Sequence, residues 1–273
     1  MKDSKIIVTG SSGYIGSNFL NTFPESIAAK NSSDNTLNFI YKDLPLNSDY
    51  FKNTPIVIIH LATYFSLNEN ENDLIKKANL DFGEQLLNYF KDINVKKIIY
   101  TNSMYSFYKT VRERGSYYTK TKNIFSKYIE SYCSSRNIFF EEIYLDNTFG
   151  GVDKRNKILP IIINELQNEG ENPIKNPQKA INLMHIQDVI LRLYLASSTY
   201  KSNKSAFIRE NSILLSSIYE FLKHFKEEQI IDESILKTQK NNYIENDLNV
   251  TYENIKVKNI ANALIDTYLA NES

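Results

Sequence analysis

Cysteine occurs once in this chain, at Cys133. No internal disulfide framework can therefore brace the fold, and a reducing compartment suits it. Net charge is missing as well: 32 basic and 32 acidic residues cancel. That balance supplies no whole-molecule field for nucleic acid or for an anionic membrane, so neither is an expected partner. A phosphate-bearing ligand must instead be held by a local site. No apolar stretch approaches the roughly 20 residues needed to span a bilayer. The chain starts Met-Lys-Asp-Ser-Lys and enters a strand at once, which leaves no room for a signal peptide. A cytoplasmic protein is expected. Tandem repeats, low-complexity tracts and linkers are also lacking.

Glycine is scarce too, with eight among 273 residues, yet three of the eight stand at 10, 13 and 16. A chain this sparing has placed them where a side chain would not fit. The run Lys5-Ile6-Ile7-Val8-Thr9 is apolar and β-branched and stops at Gly10, as a buried strand would. From Tyr14 to Phe23 the apolar spacing becomes helical. A strand is expected near Ser26–Ala29, followed by a polar loop from Lys30 to Asn35. Residues 55–61 form an apolar strand, 71–91 a helix, 96–100 the start of the next strand, 117–135 a long helix and 139–145 a further strand. This alternation predicts βαβ units and an α/β fold built on a Rossmann-type, doubly wound parallel sheet.

After Gly150-Gly151 the rhythm changes. Helical spacing covers 158–166, 213–225 and 256–269, and residues 172–179 form a polar, proline-broken loop. The expected organisation is a nucleotide-binding domain over 1–150 and a small substrate-binding lobe over 151–273. Residues 184–200 are expected to return onto the main sheet.

Strand, glycine-rich turn and helix in succession turn Thr9-Gly10-Ser11-Ser12-Gly13-Tyr14-Ile15-Gly16 into a dinucleotide-binding hypothesis. The first glycine allows the tight turn, the second lets a pyrophosphate approach the backbone, and the third allows close helix–strand contact. The helix amino terminus adds free N–H groups and its positive dipole end. Gly10, Ser12, Gly13, Tyr14, Ile15 and Gly16 are the cofactor residues this turn supplies. The next determinant lies at the end of the second strand, where NAD enzymes usually carry an acidic residue for the ribose 2′-hydroxyl. Here Lys30, Asn31 and Ser32 stand there, a set that accepts a 2′-phosphate. NADP(H) is favoured over NAD(H), which stays open because a slip in register would bring Asp34 into play.

Tyr118 and Lys122 lie four residues apart, on one face of a helix. An unperturbed phenol titrates near 10 and is a poor proton carrier at neutral pH unless its phenolate is stabilised, and a lysine one turn away can do that. Upstream, the strand continues through Thr101-Asn102-Ser103-Met104-Tyr105. His60, ending an apolar strand, is read as a hydrogen-bonded structural histidine rather than a catalyst.

The Thr-Gly-x-x-Gly-x-x-Gly turn, with these later segments in this order, resembles the short-chain dehydrogenase/reductase superfamily in its extended branch that acts on nucleotide sugars. Asp43-Leu44 resembles the family element whose acidic residue contacts adenine. His60-Leu61-Ala62-Thr63 resembles the strand end beside the cofactor, and Asn79 falls at the asparagine of the family's fourth helix. Ser103 matches the hydroxyl that bonds the reacting carbonyl, with Thr101 as its fallback. Asn147 matches a substrate-contacting asparagine, and Leu183–Val189 resembles the family's Phe-Val-His-Val-Asp-Asp-Val element. The resemblance implies that Ser103, Tyr118 and Lys122 are catalytic. It implies that Leu61, Ala62, Thr63, Asn79, Thr101, Tyr118, Lys122 and Leu145 join the turn in holding cofactor, and that Ser103, Met104, Tyr105, Asn147 and Lys157 meet a nucleotide-sugar substrate. It also allows a homodimer. No metal is expected.

Two departures narrow the reaction. Tyr144 replaces a family arginine, and Ile181 stands where an arginine usually meets the substrate diphosphate, with Lys154, Arg155, Lys157 or Lys179 available instead. The 4,6-dehydratases of the family carry an Asp-Glu pair after the serine, where this chain has Met104 and Tyr105. The resemblance therefore implies an NADPH-consuming 4-ketoreductase acting on a nucleotide-linked 6-deoxy or 3,6-dideoxy sugar. Its sharpest form is the group of small synthases that finish CDP-linked paratose and abequose for bacterial surface polysaccharide. A nucleotide-sugar 4-epimerase with tightly bound NAD and a non-catalytic NADP-binding regulator are the alternatives.

Overall fold

The computed structural model describes residues 4–31, 37–109, 115–241, 251–254 and 259–272. Two compact units emerge, the first holding 1–145, 190–206 and 243–251, the second 146–189, 207–242 and 252–273. The first contains β1 (Lys5–Thr9), α1 (Tyr14–Thr22), β2 (Ile27–Asn31), β3 (Leu37–Tyr41), β4 (Leu44–Leu46) and β5 (Ile56–His60). It continues through α2 (Asn72–Lys76), α3 (Phe82–Tyr89), β6 (Val95–Ser103), α4 (Tyr117–Ser135) and β7 (Phe139–Leu145). Then follow β8 (Asn147–Phe149), α5 (Ile158–Gln167), β9 (Ala180–Ile181), β10 (Leu183–His185), α6 (Ile186–Ser197) and β11 (Asn203–Ile208). The chain closes through β12 (Asn211–Leu214), α7 (Leu215–Glu228), β13 (Thr238–Lys240), β14 (Thr251–Asn254) and α8 (Ile260–Ala270).

The main sheet has the order β14-β11-β7-β6-β5-β1-β2-β3-β4. Strands β1, β2, β5, β6 and β7 pair in parallel, the arrangement that βαβ crossovers produce, and the fold is a Rossmann-type α/β sheet. Strand β5 is buried along its whole length, which is why Ile56–His60 reads as a continuous apolar run rather than an alternating one. Ile7, Ile58, Ile98 and Tyr100 pack with Phe125 and Ile129 of α4 in the core of this unit.

One edge departs from the parallel pattern. Strands β2 and β3 pair antiparallel, as do β3 and β4. Only residues 32–36 separate β2 from β3. A parallel crossover needs a dozen residues or more, so the chain has to turn straight back. The expected loop from Lys30 is corrected accordingly: Lys30 and Asn31 belong to β2, with Lys30 opposite Asn38. Ser32 lies outside the described residues. Lys42 and Asp43, at φ 46° and 63°, form the two-residue turn joining β3 to β4. Both central residues of such a hairpin turn need positive φ, which Asp tolerates better than most side chains. Asp43 and Leu44 are exposed at this turn, and the backbone alone accounts for Asp at 43.

In the second unit, β10 pairs with β8, and β12 lies between β9 and β13. Its core gathers Phe149, Ile162, Ile181, Ile218, Phe221, Leu264 and Tyr268. Ile181 is thus a core residue. The helix expected from Ile213 begins at Leu215, because Asn211–Leu214 is recruited as strand β12. Among the described residues no helix is long and apolar enough to cross a membrane.

Candidate active site

The glycine turn separates into what the protein needs and what it leaves open. Gly10 has φ +64°, and a Cβ there would stand 2.7 Å from the Ala62 backbone nitrogen. A Cβ on Gly16 would collide with the Gly10 carbonyl. Gly13 is different. Its φ is −77°, any side chain can adopt that backbone, and an added Cβ would meet only the Gly10 carbonyl oxygen, at 3.2 Å. Folding explains the first and third glycines, whereas the middle one keeps space clear at the start of α1. That start carries no acidic residue and no side-chain cap, a setting that suits an anion. Gly13 and Ser12 are exposed and Tyr14 and Ile15 partly so, which fits a dinucleotide phosphate lying on the turn.

Thr9 locks this turn to the end of β5. Its hydroxyl accepts from the Leu61 and Ala62 amides at 3.1 and 3.2 Å and lies 2.9 Å from His60 Nδ1. With two amides donating to it, the hydroxyl spends its own proton on Nδ1, which puts the ring proton of His60 on Nε2. His60 is buried against Phe82, Tyr100 and Phe125, and burial pushes its pKa down from 6.5 to about 3. It is a neutral structural residue. Unfolded, the same ring takes a proton below 6.5, so stability should fall as pH drops from 6.5 towards 3. The slope is at most about 1.4 kcal/mol per pH unit from this group. Urea unfolding of wild type and His60→Gln across pH 7 to 4.5 checks this. An unchanged slope in the variant would assign the effect elsewhere.

Asn79 sits in a single π-helical turn, residues Lys77–Asp81, inserted between α2 and α3. Such turns mark functional places in helices. Its Oδ1 accepts from the Thr63 hydroxyl and the Tyr64 amide, both at 2.9 Å, and its Nδ2 donates to Thr121 Oγ1 at 3.1 Å and to the Tyr64 carbonyl at 3.5 Å. Every donor and acceptor of the amide is spent, and the residue is buried. The expected cofactor contact is therefore corrected: Asn79 is a tie between Thr63 and α4.

Tyr118 is buried on α4, whose amino-terminal Ser116 caps the Thr119 amide. Its phenol meets the hydroxyls of Thr63 and Ser103, and the Phe65 ring packs edge-on against it at 4.9 Å. Burial drives the phenol pKa up to about 12, with the two hydroxyls drawing it back only in part. Lys122, also buried, donates from Nζ to the Thr101 carbonyl at 2.6 Å and lies 4.3 Å over the Tyr100 ring. Burial lowers its pKa to about 7. The expected acidifying field of Lys122 on Tyr118 is thus not what this geometry provides, because the ammonium is turned to a backbone carbonyl. The hydroxyls act on the phenol instead.

Ser103 ends β6, and its Oγ accepts from the Tyr105 amide at 3.2 Å. Thr101, the fallback, spends its hydroxyl on the His60 carbonyl at 3.4 Å and is displaced from that role. Met104 has no exposed surface and is corrected from substrate contact to core; Tyr105 is part-exposed beside Phe65. In the second unit, Asn147 donates to Asp146 Oδ1 at 2.7 Å. Arg155 is held by Asp153 and by Thr148. Lys157 precedes α5, its pKa lowered to about 8 by burial and by Arg155. Phe65, Asn102 and Glu142 were not expected near this chemistry. For Glu142 the signal was a pair of carboxylates inside an otherwise apolar strand.

Residues 6–208 match the sequence profile of a family described as the NAD dependent epimerase/dehydratase family. A CDP-abequose synthase of Yersinia pseudotuberculosis is 26% identical over 214 residues, 71% of this chain and 74% of that protein. Among solved structures, a UDP-N-acetylglucosamine 4-epimerase from Methanobrevibacter ruminantium in complex with UDP-N-acetylmuramic acid superposes with a TM-score of 0.77 at 16% identity, covering 99% of this chain and 98% of that one. A UDP-glucose 4-epimerase from Thermotoga maritima with UDP-glucose gives 0.72 at 16% identity, covering 97% and 98%.

Proposed function

Because this chain belongs to the NAD dependent epimerase/dehydratase family, we propose that it reduces the 4-keto group of a nucleotide-linked 6-deoxy or 3,6-dideoxy sugar with NADPH. The observation that carries this reading is a buried, protonated phenol flanked by two hydroxyls. A reductase must hand a proton to the oxygen on which negative charge develops, and a phenol held at about 12 keeps that proton available throughout the neutral range. Ser103 bonds the same oxygen, and the low-dielectric surroundings strengthen that bond as charge grows. The similarity to a CDP-abequose synthase supports a CDP-linked dideoxysugar, paratose- or abequose-like, in bacterial surface-polysaccharide synthesis. Met104 and Tyr105 supply no acid–base pair after Ser103, which speaks against dehydration.

The glycine turn, Leu61–Thr63, Lys122 and Leu145 would hold the dinucleotide. When bound, it supplies the hydride. Lys122 would take the nicotinamide ribose, Tyr105, Asn147 and Lys157 the sugar nucleotide, and Lys30, exposed near the end of β2, the 2′-phosphate.

The test is to incubate the protein with NADPH or NADH and a panel of nucleotide-linked 4-keto sugars. Stoichiometric oxidation of NADPH is expected, and Lys30→Asp should weaken NADPH far more than NADH. Epimerised sugar without net oxidation would establish the epimerase instead. Cofactor binding with no turnover on any sugar would leave a regulator.

A further inference from the structure

Strand β7 carries two adjacent carboxylates, and adjacent strand residues face opposite sides of a sheet. Glu141 is fully compensated: Lys97 pairs with one oxygen and Arg192 with the other, at 2.7 Å. Glu142 is not. It has no exposed surface, Asn102 Nδ2 donates to its Oε1 at 2.7 Å, and its Oε2 has no hydrogen-bond partner. Lys204 Nζ stands 3.7 Å from Oε2 but is committed to Glu130 at 2.8 Å. Tyr144, two residues along the same strand, adds a side-chain hydrogen bond to Glu142. A buried carboxylate with one oxygen left without a hydrogen bond is costly to keep and asks for a reason.

Across the sheet Glu142 lies opposite Tyr100. Lys122 reaches the same residue from α4: its Nζ is 4.3 Å over the Tyr100 ring, and Tyr100 Oη donates to its carbonyl at 3.2 Å. Asn102, two residues along β6, completes the layer. Its Oδ1 accepts from the Ser103 amide at 2.8 Å, so its nitrogen must face Glu142 Oε1 and Asn123 Oδ1, the latter at 3.2 Å. We propose that Glu142 is a positioning residue of the Tyr118 site: its carboxylate is the buried counter-charge of Lys122, and through Asn102 it fixes the backbone of Ser103. This rests on the reading of Tyr118, Ser103 and Lys122 given above.

The groups that bear on Glu142 are Lys122 from α4, Lys204 from β11, Tyr100 from β6 and Tyr144 from its own strand. Those that bear on Lys122 are Glu142 and the neutral His60. Burial alone works to strip the Lys122 proton near neutrality, and Glu142 opposes it. The carboxylate therefore favours the ammonium form of Lys122.

Glu142→Gln tests this cleanly, because an amide oxygen still accepts from Asn102 and only the charge is removed. Lysine labelled with 13C at Cε reports the titration of Lys122 directly, with Lys122→Arg assigning the resonance. The midpoint in Glu142→Gln should move to lower pH by about one unit, the size of effect a nearby opposite charge has. An unchanged midpoint would overturn the proposal. Should Glu142→Gln fail to give a cooperative unfolding transition, Glu142→Leu combined with Lys122→Leu should restore one. A double variant no more stable than the single would equally overturn it. Tyr118→Phe separates the two readings: if that variant is inactive while the Lys122 midpoint ignores Glu142, only the present inference fails, and if it turns over at wild-type rate the site itself is misread.

Discussion

Gly13→Val should fold and lose its cofactor. The backbone at Gly13 is extended, at φ −77° and ψ 168°, so valine meets no conformational barrier there. Its Cβ would press only on the Gly10 carbonyl, 3.2 Å away, and the rest of the branched side chain would occupy the space at the mouth of α1. Overpacking of that kind costs about 1–3 kcal/mol when a ligand must share the volume, which raises the NADPH dissociation constant about 5- to 150-fold. Gly16→Ala is the contrast. Its added methyl would strike the Gly10 carbonyl whether or not a ligand is present, so it should lower the thermal midpoint. Calorimetric titration and thermal unfolding of both variants decide the matter. A folded Gly13→Val that binds NADPH as tightly as wild type would remove the turn from the cofactor site.

The comparison of the two glycines shows where sequence reading succeeds and where it stops. The strand–turn–helix order and the parallel core strands were legible because buried parallel strands are apolar throughout and glycine at 10, 13 and 16 had few competing explanations in a glycine-poor chain. The antiparallel edge was not legible. Leu37–Tyr41 has strand-like composition, but its direction follows from the short interval after β2, and interval length carries no hydrophobic signature. Asn79 was read from its place along the chain, and only coordinates reveal that Thr63, Tyr64 and Thr121 exhaust its amide. Met104 was likewise read from its place beside Ser103, and the turn that follows β6 buries it. The electrostatics of Tyr118 ran opposite to expectation for a similar reason. Four-residue spacing puts Lys122 on the same helical face but does not say where its flexible stem points, and the Thr101 carbonyl claims it.

Tyr118→Phe carries the heaviest expected loss. It deletes one oxygen from a ring that Phe65 and the rest of its pocket continue to hold, so folding and NADPH binding should be preserved. The hydroxyls of Thr63 and Ser103 would then face a carbonyl oxygen with no acid beside them. Turnover should fall by about two to four orders of magnitude, the usual worth of a positioned general acid. Because the wild-type phenol titrates at about 12, the deficit should persist across the neutral range rather than appear at one end of it. Ser103→Ala should lower turnover more than it raises KM, since the carbonyl gains most of its charge at the transition state. Lys122→Met should cost rate and cofactor affinity together if one ammonium serves both. The measurement is steady-state NADPH oxidation with a 4-keto nucleotide sugar, alongside cofactor titration of each variant. A Tyr118→Phe protein that reduces such a sugar near the wild-type rate would place the proton donor elsewhere, and Ser103 would then have to be reassigned with it.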